Sequence, residues 1–135
     1  MNETKAAPPP NVWPSLHAND AHGLIKFLTE ALGFEATVVY ADGDVVQHAE
    51  IAWPPGGGVM LGSARPGDGS GVTSPGHFSA YVVTSDPDAL HDRAVAHGAK
   101  VTQELNDTDY GSRGFAIEDP EGNHWSFGTY PGAPR

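Results

Sequence analysis

The stretch that decides the fold is Asp119-Pro120-Glu121-Gly122-Asn123-His124-Trp125-Ser126-Phe127. Proline fixes φ at one position of the first five residues, and Gly-Asn tolerates positive φ, so these residues predict a β-turn between antiparallel strands. The strand after the turn alternates in character. Trp125 and Phe127 fall on one face and are predicted to pack in the core, whereas His124 and Ser126 fall on the other.

Working back from this turn, the chain reads as one strand, one helix and three strands. We predict strands over His77 to Thr84, Lys100 to Gln103, Arg113 to Glu118 and His124 to Thr129. A helix lies between the first two. Ser85 or Asp86 caps its start, Pro87 suits its first turn, and Gly98 suits the left-handed position after its end.

The first half of the chain repeats that order. Strands are predicted over Val12 to His17, Phe34 to Tyr40, Val45 to Trp53 and Val59 to Ser63, with a helix after the first that Asn19 or Asp20 caps and Gly33 ends. Placing Asp20 on Ser85 also places Gly33 on Gly98. This coincidence indicates an internal duplication with a period of about 65 residues.

The 135 residues suffice for one core and are too few for two typical independent domains. We therefore predict a flexible arm over residues 1–10 and a single domain over 11–135. Its half-modules span about 11–64 and 77–130, joined by a glycine- and proline-rich connector over 65–76.

Composition excludes several classes of function. The chain has no cysteine, so disulfides, thiolate nucleophiles and cysteine-based metal sites are excluded. Its formal charge of −10 repels nucleic acid and anionic membrane surfaces, although it would attract a cationic ligand. The absence of a membrane-length apolar run or a signal-peptide pattern predicts a cytoplasmic protein without nucleic-acid or membrane partners.

Several motifs together resemble the vicinal-oxygen-chelate superfamily, which contains glyoxalase, bleomycin-resistance and extradiol-dioxygenase relatives. They are the Asp119–Asn123 turn, Asn19-Asp20 before a helix that ends in Leu-Gly-Phe, His48-Ala49-Glu50-Ile51 and Met60-Leu61-Gly62. The resemblance covers nearly all of the chain after residue 10. It implies an α+β fold of two βαβββ modules that curl into an incomplete barrel, with helices outside and a ligand cleft inside. Many such relatives are dimers, so we expect a homodimer.

Enzymes of that family usually hold a divalent metal between four strands. Matched to this chain, the ligand positions fall on Trp13, at or next to Leu61, on Ser79 and on Ser126, none of which is a good ligand. Other inward histidines, at positions 17, 77 and 124, sit at different depths along their strands. We therefore expect no cofactor, and His22, His91 and His97 are predicted to be solvated.

Without a metal, the predicted cleft offers aromatic faces and polar tips, which suit stacking and orientation of a planar ligand. This favours a drug-binding or resistance protein for a small planar molecule, for which a positive charge is compatible with the acidic chain. The predicted ligand-binding residues are Trp13, Ser15, His17, His77, Ser79, Tyr81, Arg113, His124 and Ser126.

Other interpretations stay open at this point. Arg113 could clamp a ligand carboxylate or form a surface ion pair. His48 lies two residues from Glu50 on the same strand face, so the two could form an acid–base pair or a plain hydrogen bond. A metal-independent lyase or isomerase that uses His17 or His48 is therefore one alternative, and a metal-dependent glyoxalase- or dioxygenase-type enzyme is another.

Overall fold

A computed structural model describes residues 8–65 and 74–135 of the chain. Two βαβββ modules follow each other in it, which confirms the predicted fold class. The first module consists of β1 (Ser15–Ala18), α1 (Ala21–Leu32), β2 (Glu35–Asp42), β3 (Val45–Ala52) and β4 (Gly58–Ser63). The second consists of β5 (Ser79–Val83), α2 (Pro87–Ala96), β6 (Lys100–Asp107), β7 (Arg113–Glu118) and β8 (His124–Gly128).

Each module forms its own four-stranded mixed sheet. The strand orders are β1-β4-β3-β2 and β5-β8-β7-β6, with β1 parallel to β4, β5 parallel to β8 and the other pairs antiparallel. The two sheets do not join into a closed barrel. None of the helices in the described part of the chain is long and apolar enough to span a membrane.

Caps define both helices. The Asp20 carboxylate accepts from the Gly23 N–H, and the Asp86 carboxylate accepts from the Ala89 N–H, so Asp86 rather than Ser85 starts α2. Gly33 has a φ of 83°, the left-handed conformation that ends a helix. The internal repeat is therefore not exact. Because α1 has 12 residues and α2 has 10, the sequence offset that superposes the helix starts differs slightly from the one that superposes their ends.

One core lies between the helices and the inner faces of the two sheets. The helices contact each other and the sheet of their own module, and the buried set includes the predicted core residues Trp125 and Phe127. Phe34 joins the modules, since its ring lies 4.8 Å from that of Trp53 and 5.6 Å from that of Trp125. The largest fully buried side chains are Trp125, Phe127, Leu16, Leu24, Leu28, Leu32, Ile51, Ile117, Val46 and Asn123.

Within residues 8–65 and 74–135, nothing covers the second face of either sheet. On β1, Leu16 and Ala18 are buried while Ser15 is exposed and His17 half-buried; on β5, Ser79 and Tyr81 are exposed. We call these surfaces the open faces of the first and second modules. A sheet that buries only one face alternates in this way along each strand.

Two side chains of the second module hold the ends of α1. The Glu121 carboxylate accepts from the backbone N–H groups of Asn19 and Asp20 at 2.6 and 3.0 Å. Arg93 donates to the carbonyl oxygens of Glu30 and Thr29 at 2.9 and 3.2 Å. An anion at the N-terminus and a cation at the C-terminus both complement the helix dipole.

The strand boundaries depart most from prediction at the start of β1 and the end of β6. β1 begins at Ser15 rather than Val12, because Pro14 lacks the N–H that a ladder needs, and Trp13 therefore precedes the strand. β6 runs on to Asp107 with register shifts against β7, which period-two patterning does not reveal. Most of the predicted connector, residues 66–73, and residues 1–7 of the predicted arm lie outside the described residues.

Candidate ligand-binding site

A pocket of about 540 Å³ lies between the two modules, and we call it the inter-module pocket. Its volume is within the range of sites that enclose drug-sized molecules. Its walls come from the residues before β1, the β3–β4 loop, edge strand β5 and the C-terminal segment. They are Val12, Pro14, Phe34, Trp53, Pro55, Gly56, Gly57, Gly58, Val59, Ala80, Tyr81, Val82, Val83, Trp125 and Pro131.

Three aromatic rings shape this pocket. Phe34 follows the end of α1, Trp53 follows β3, and Trp125 lies on β8. The Phe34 ring is tilted by 48° against Trp53 and meets Trp125 edge-on at 71°. The Trp53 indole N–H donates to the Val83 carbonyl at 3.0 Å, which holds the ring across the gap between the modules.

The chemistry of the pocket is stacking and apolar contact. Among the residues that the structure describes, no acidic or basic side chain lines it. Its polar contributors are the Tyr81 phenol, the Trp53 N–H and backbone groups. Such a wall binds flat, apolar-faced molecules and can orient them through few hydrogen bonds.

Tyr81 is the one predicted ligand-binding residue that lines the inter-module pocket. Its hydroxyl donates to the Tyr130 carbonyl at 2.7 Å and so ties the C-terminal segment to β5. Phe34 and Trp53, by contrast, were missed by sequence reasoning. Phe34 follows the helix-ending Gly33, and Trp53 precedes Pro54, which was a usable signal. The sequence placed both at the ends of predicted strands, whereas in the structure both lie just outside β2 and β3.

The predicted residues of β1 lie on the open face of the first module. Ser15 and His17 line a smaller pocket of about 160 Å³, which they share with His48 and Met60. His48 Nε2 lies 2.8 Å from a Glu50 carboxylate oxygen, so the predicted pairing of these side chains is present.

The predicted residues of β8 lie on the open face of the second module. His124 Nε2 is 3.1 Å from the Ser126 hydroxyl, and the register places Ser79 beside His124 and Tyr81 beside Ser126. Neither the inter-module pocket nor the pocket at His17 includes Ser79, His124 or Ser126. The predicted site residues are thus divided between two sheets.

The remaining predicted residues have other neighbours. The Trp13 indole N–H donates to the Pro10 carbonyl at 3.1 Å, and His77 is exposed just before β5. Arg113 forms ion pairs with Asp88 at 2.7 Å and Asp107 at 3.2 Å. Hydrogen bonds from Arg113 lower the pKa of the Asp88 carboxyl below its usual value, and the same bonds raise the pKa of Arg113.

His91 is not solvated as predicted. Its Nε2 lies 2.9 Å from Glu104, its ring meets Phe115 edge-on at 5.3 Å, and only 16% of its side chain is exposed. It therefore anchors α2 to β6 and β7, a contact that helix periodicity alone does not reveal.

The donor set does not fit a divalent metal. The four strand positions carry an indole, an aliphatic side chain and two hydroxyls, which lack the imidazole and carboxylate groups that such cations prefer. Within residues 8–65 and 74–135, no three His, Asp or Glu side chains come together at distances that could hold a metal ion.

Comparison with known proteins gives matches over most of the chain. Residues 12–127 match the model of the glyoxalase/bleomycin resistance protein/dioxygenase superfamily. The uncharacterized protein Mb0911c of Mycobacterium bovis is 33% identical over 129 residues, which cover 88% of this chain and 82% of that protein.

Solved structures agree in fold. TioX from Micromonospora sp. ML1 superposes with a TM-score of 0.71 at 30% identity, over 84% of this chain and 93% of TioX. TnmS3, described as an antibiotic binding protein from Streptomyces sp. CB03234, superposes with a TM-score of 0.68 at 21% identity. That match covers 84% of this chain and 88% of TnmS3.

Proposed function

Since the chain belongs to the glyoxalase/bleomycin resistance protein/dioxygenase superfamily, we propose that it binds a small planar molecule without a metal and without chemical conversion of it. The inter-module pocket carries this proposal, because the partly buried Trp53 ring, backed by the buried Phe34 and Trp125, forms an aromatic wall. Among the described residues, no charged side chain lines the pocket. Sequestration of a drug-like compound in the cytoplasm is the proposed role. TnmS3 shares the fold and is described as an antibiotic binding protein, which supports a role in binding a small molecule.

A positive charge on the ligand is compatible with this pocket but is not required by it. Cations are attracted by aromatic faces and by the net charge of −10, whereas no carboxylate stands among the lining residues. We propose that stacking of the planar ligand gives most of the binding free energy. A positive charge on the ligand adds a smaller contribution, which weakens as the salt concentration rises.

We further propose that the protein acts as a homodimer. In the described part of the chain, the open faces of both modules are uncovered, with Tyr81 half exposed at 50%. An uncovered sheet face that carries aromatic and aliphatic groups is stabilised when a second copy covers it. In such a dimer, His17 and His48 of one open face could meet residues such as Ser126 on the other.

Titration with planar dyes tests the proposed function. Proflavine, which is cationic, and acridone, which is neutral, are added while tryptophan fluorescence and melting temperature are followed. Binding should quench the fluorescence and raise the melting temperature through linkage. Val82→Trp should fill the pocket and abolish both responses, whereas Val39→Trp on the exposed side of β2 should leave them unchanged. Absence of any response from either dye in the unmodified protein would refute the proposal.

A second candidate is a metal-independent lyase or isomerase, which the 2.8 Å His48–Glu50 contact beside His17 favours. A carboxylate that orients an imidazole is the usual arrangement for a general base. Small α-hydroxycarbonyl compounds in D₂O should then gain deuterium next to the carbonyl, and His48→Ala should stop this while the melting temperature stays close to wild type. Equal exchange with and without His48 and His17 would exclude this candidate.

A further inference from the structure

Strand β5 lies at the edge of its sheet, and among the described strands it pairs with β8 alone. In a parallel pair, alternate residues direct both backbone groups to the neighbour. The Phe78 carbonyl accepts from the His124 N–H at 2.9 Å, and the Thr84 N–H donates to the Gly128 carbonyl at 2.9 Å. Even-numbered residues of β5 therefore face β8, and the backbone groups of Ser79, Tyr81 and Val83 point away from it.

This free edge borders the inter-module pocket. Tyr81 and Val83 are lining residues, while Ser79 on the same edge is not. The Trp53 indole N–H already donates to the Val83 carbonyl at 3.0 Å, so a donor from the pocket side can reach the edge. Among the residues that the structure describes, neither the N–H nor the carbonyl of Tyr81 has a hydrogen-bond partner.

We propose that the pocket selects planar ligands that carry a secondary amide. The amide carbonyl accepts from the Tyr81 N–H and the amide N–H donates to the Tyr81 carbonyl, while the planar part lies against the Trp53 ring. This is the hydrogen-bond pattern by which an extended peptide adds to a sheet edge, here with a single amide unit. The inference rests on the proposed function and names the ligand class for the same pocket.

A matched pair of probes tests the ligand side. N-methyl-2-naphthamide and methyl 2-naphthoate share the planar ring and the carbonyl, but only the amide can donate to the Tyr81 carbonyl. Calorimetric titration should give an affinity about three- to tenfold higher for the amide, the range of one net hydrogen bond. Equal affinities would overturn the amide preference and leave the planar binding function intact. Failure of both probes to bind would refute both.

Proline substitution tests the protein side. Tyr81→Pro removes the outward N–H without removing a ladder hydrogen bond, because proline is tolerated on the free side of an edge strand. Tyr81→Ala is the matched comparison, since both variants lose the phenol and its bond to Tyr130. The amide probe should bind Tyr81→Pro about three- to tenfold more weakly than Tyr81→Ala. Ser79→Pro, on the same edge outside the pocket, should bind like wild type.

Hydrogen exchange gives a readout that does not depend on affinity. In the free protein, the Ala80 and Val82 amides should exchange slowly and the Tyr81 amide quickly. Saturating N-methyl-2-naphthamide should slow exchange at Tyr81 specifically, and Tyr81→Ala should retain this effect. Binding of the probe without protection of the Tyr81 amide would overturn the proposal, even if tryptophan fluorescence reports an occupied pocket.

Discussion

The carboxylate of Glu121 accepts the backbone N–H of Asn19 at 2.6 Å, although the two residues lie 102 positions apart. Its other oxygen accepts the Asp20 N–H at 3.0 Å. The turn that identifies the family in sequence thus also joins the second module to the start of α1. Besides its backbone geometry, the turn supplies a side chain that joins the modules.

Glu121→Ala should lower the free energy of unfolding by about 1 kcal/mol, because two N–H groups at the start of α1 lose their acceptor and the helix dipole loses a nearby anion. Urea denaturation followed by circular dichroism measures the change. Glu35→Ala, an exposed glutamate on β2, serves as the control and should change stability little. Equal effects of the two substitutions would show that the contact adds nothing measurable.

Asp119→Ala should destabilise the protein more strongly. The buried carboxylate accepts from the N–H groups of Glu121 and Asn123, the Asn123 side-chain amide and the Trp125 indole, each at 2.9 Å. Leaving these donors unpaired should cost about 3 kcal/mol or more. Trp125→Phe deletes one donor together with part of a core ring and helps to separate the indole contribution. A loss below about 1 kcal/mol for Asp119→Ala would contradict this account of the turn.

The Asp88–Arg113 pair should stabilise the fold at neutral pH and lose this effect in acid. Because the hydrogen bonds from Arg113 lower the pKa of Asp88 in the folded state, ionised Asp88 favours folding above the unfolded pKa. The contribution is lost as pH falls through the lowered pKa of the folded state. Melting temperatures of wild type and Asp88→Asn should therefore differ at neutral pH and converge in strong acid. A difference that stays constant down to about pH 2 would argue against ionic coupling.

The proposed homodimer predicts a mass in sedimentation equilibrium of twice the 14.1 kDa chain. Ser126→Arg puts a cation in the middle of the open face of the second module and should yield monomers. Ser85→Arg, on the exposed segment before α2, carries the same added charge and should stay dimeric. A monomeric wild-type protein at micromolar concentration would refute the dimer.

Much of the fold could be predicted from local signals. Aspartates 20 and 86 with glycines 33 and 98 bounded the helices, since capping chemistry acts within a few residues. Alternation correctly placed Trp125 and Phe127 in the core. The strand ends were less predictable, because Pro14 shortened β1 and the irregular register of β6 depends on its partner β7.

The site was harder to predict than the fold. The sequence pattern placed Ser15 and Ser79 in one cleft, which assumes that the open faces of their two sheets meet. In the monomer the two residues lie on different open faces. The inter-module pocket depends on how the modules pack, and the Phe34–Trp53–Trp125 contacts bring together residues from distant parts of the sequence. The sequence left open whether Arg113 clamps a ligand or forms an ion pair. The structure shows an ion pair with Asp88 of α2, whose position the sequence could not give.

Because the second module holds both ends of α1, through Glu121 and Arg93, the halves depend on each other for part of their stability. These contacts are strong in one chain because the covalent link gives each half a high effective concentration near the other. The same contacts could be supplied by a second chain at no loss of hydrogen bonds. Exchange of halves between chains would then be governed by protein concentration rather than by any new interface.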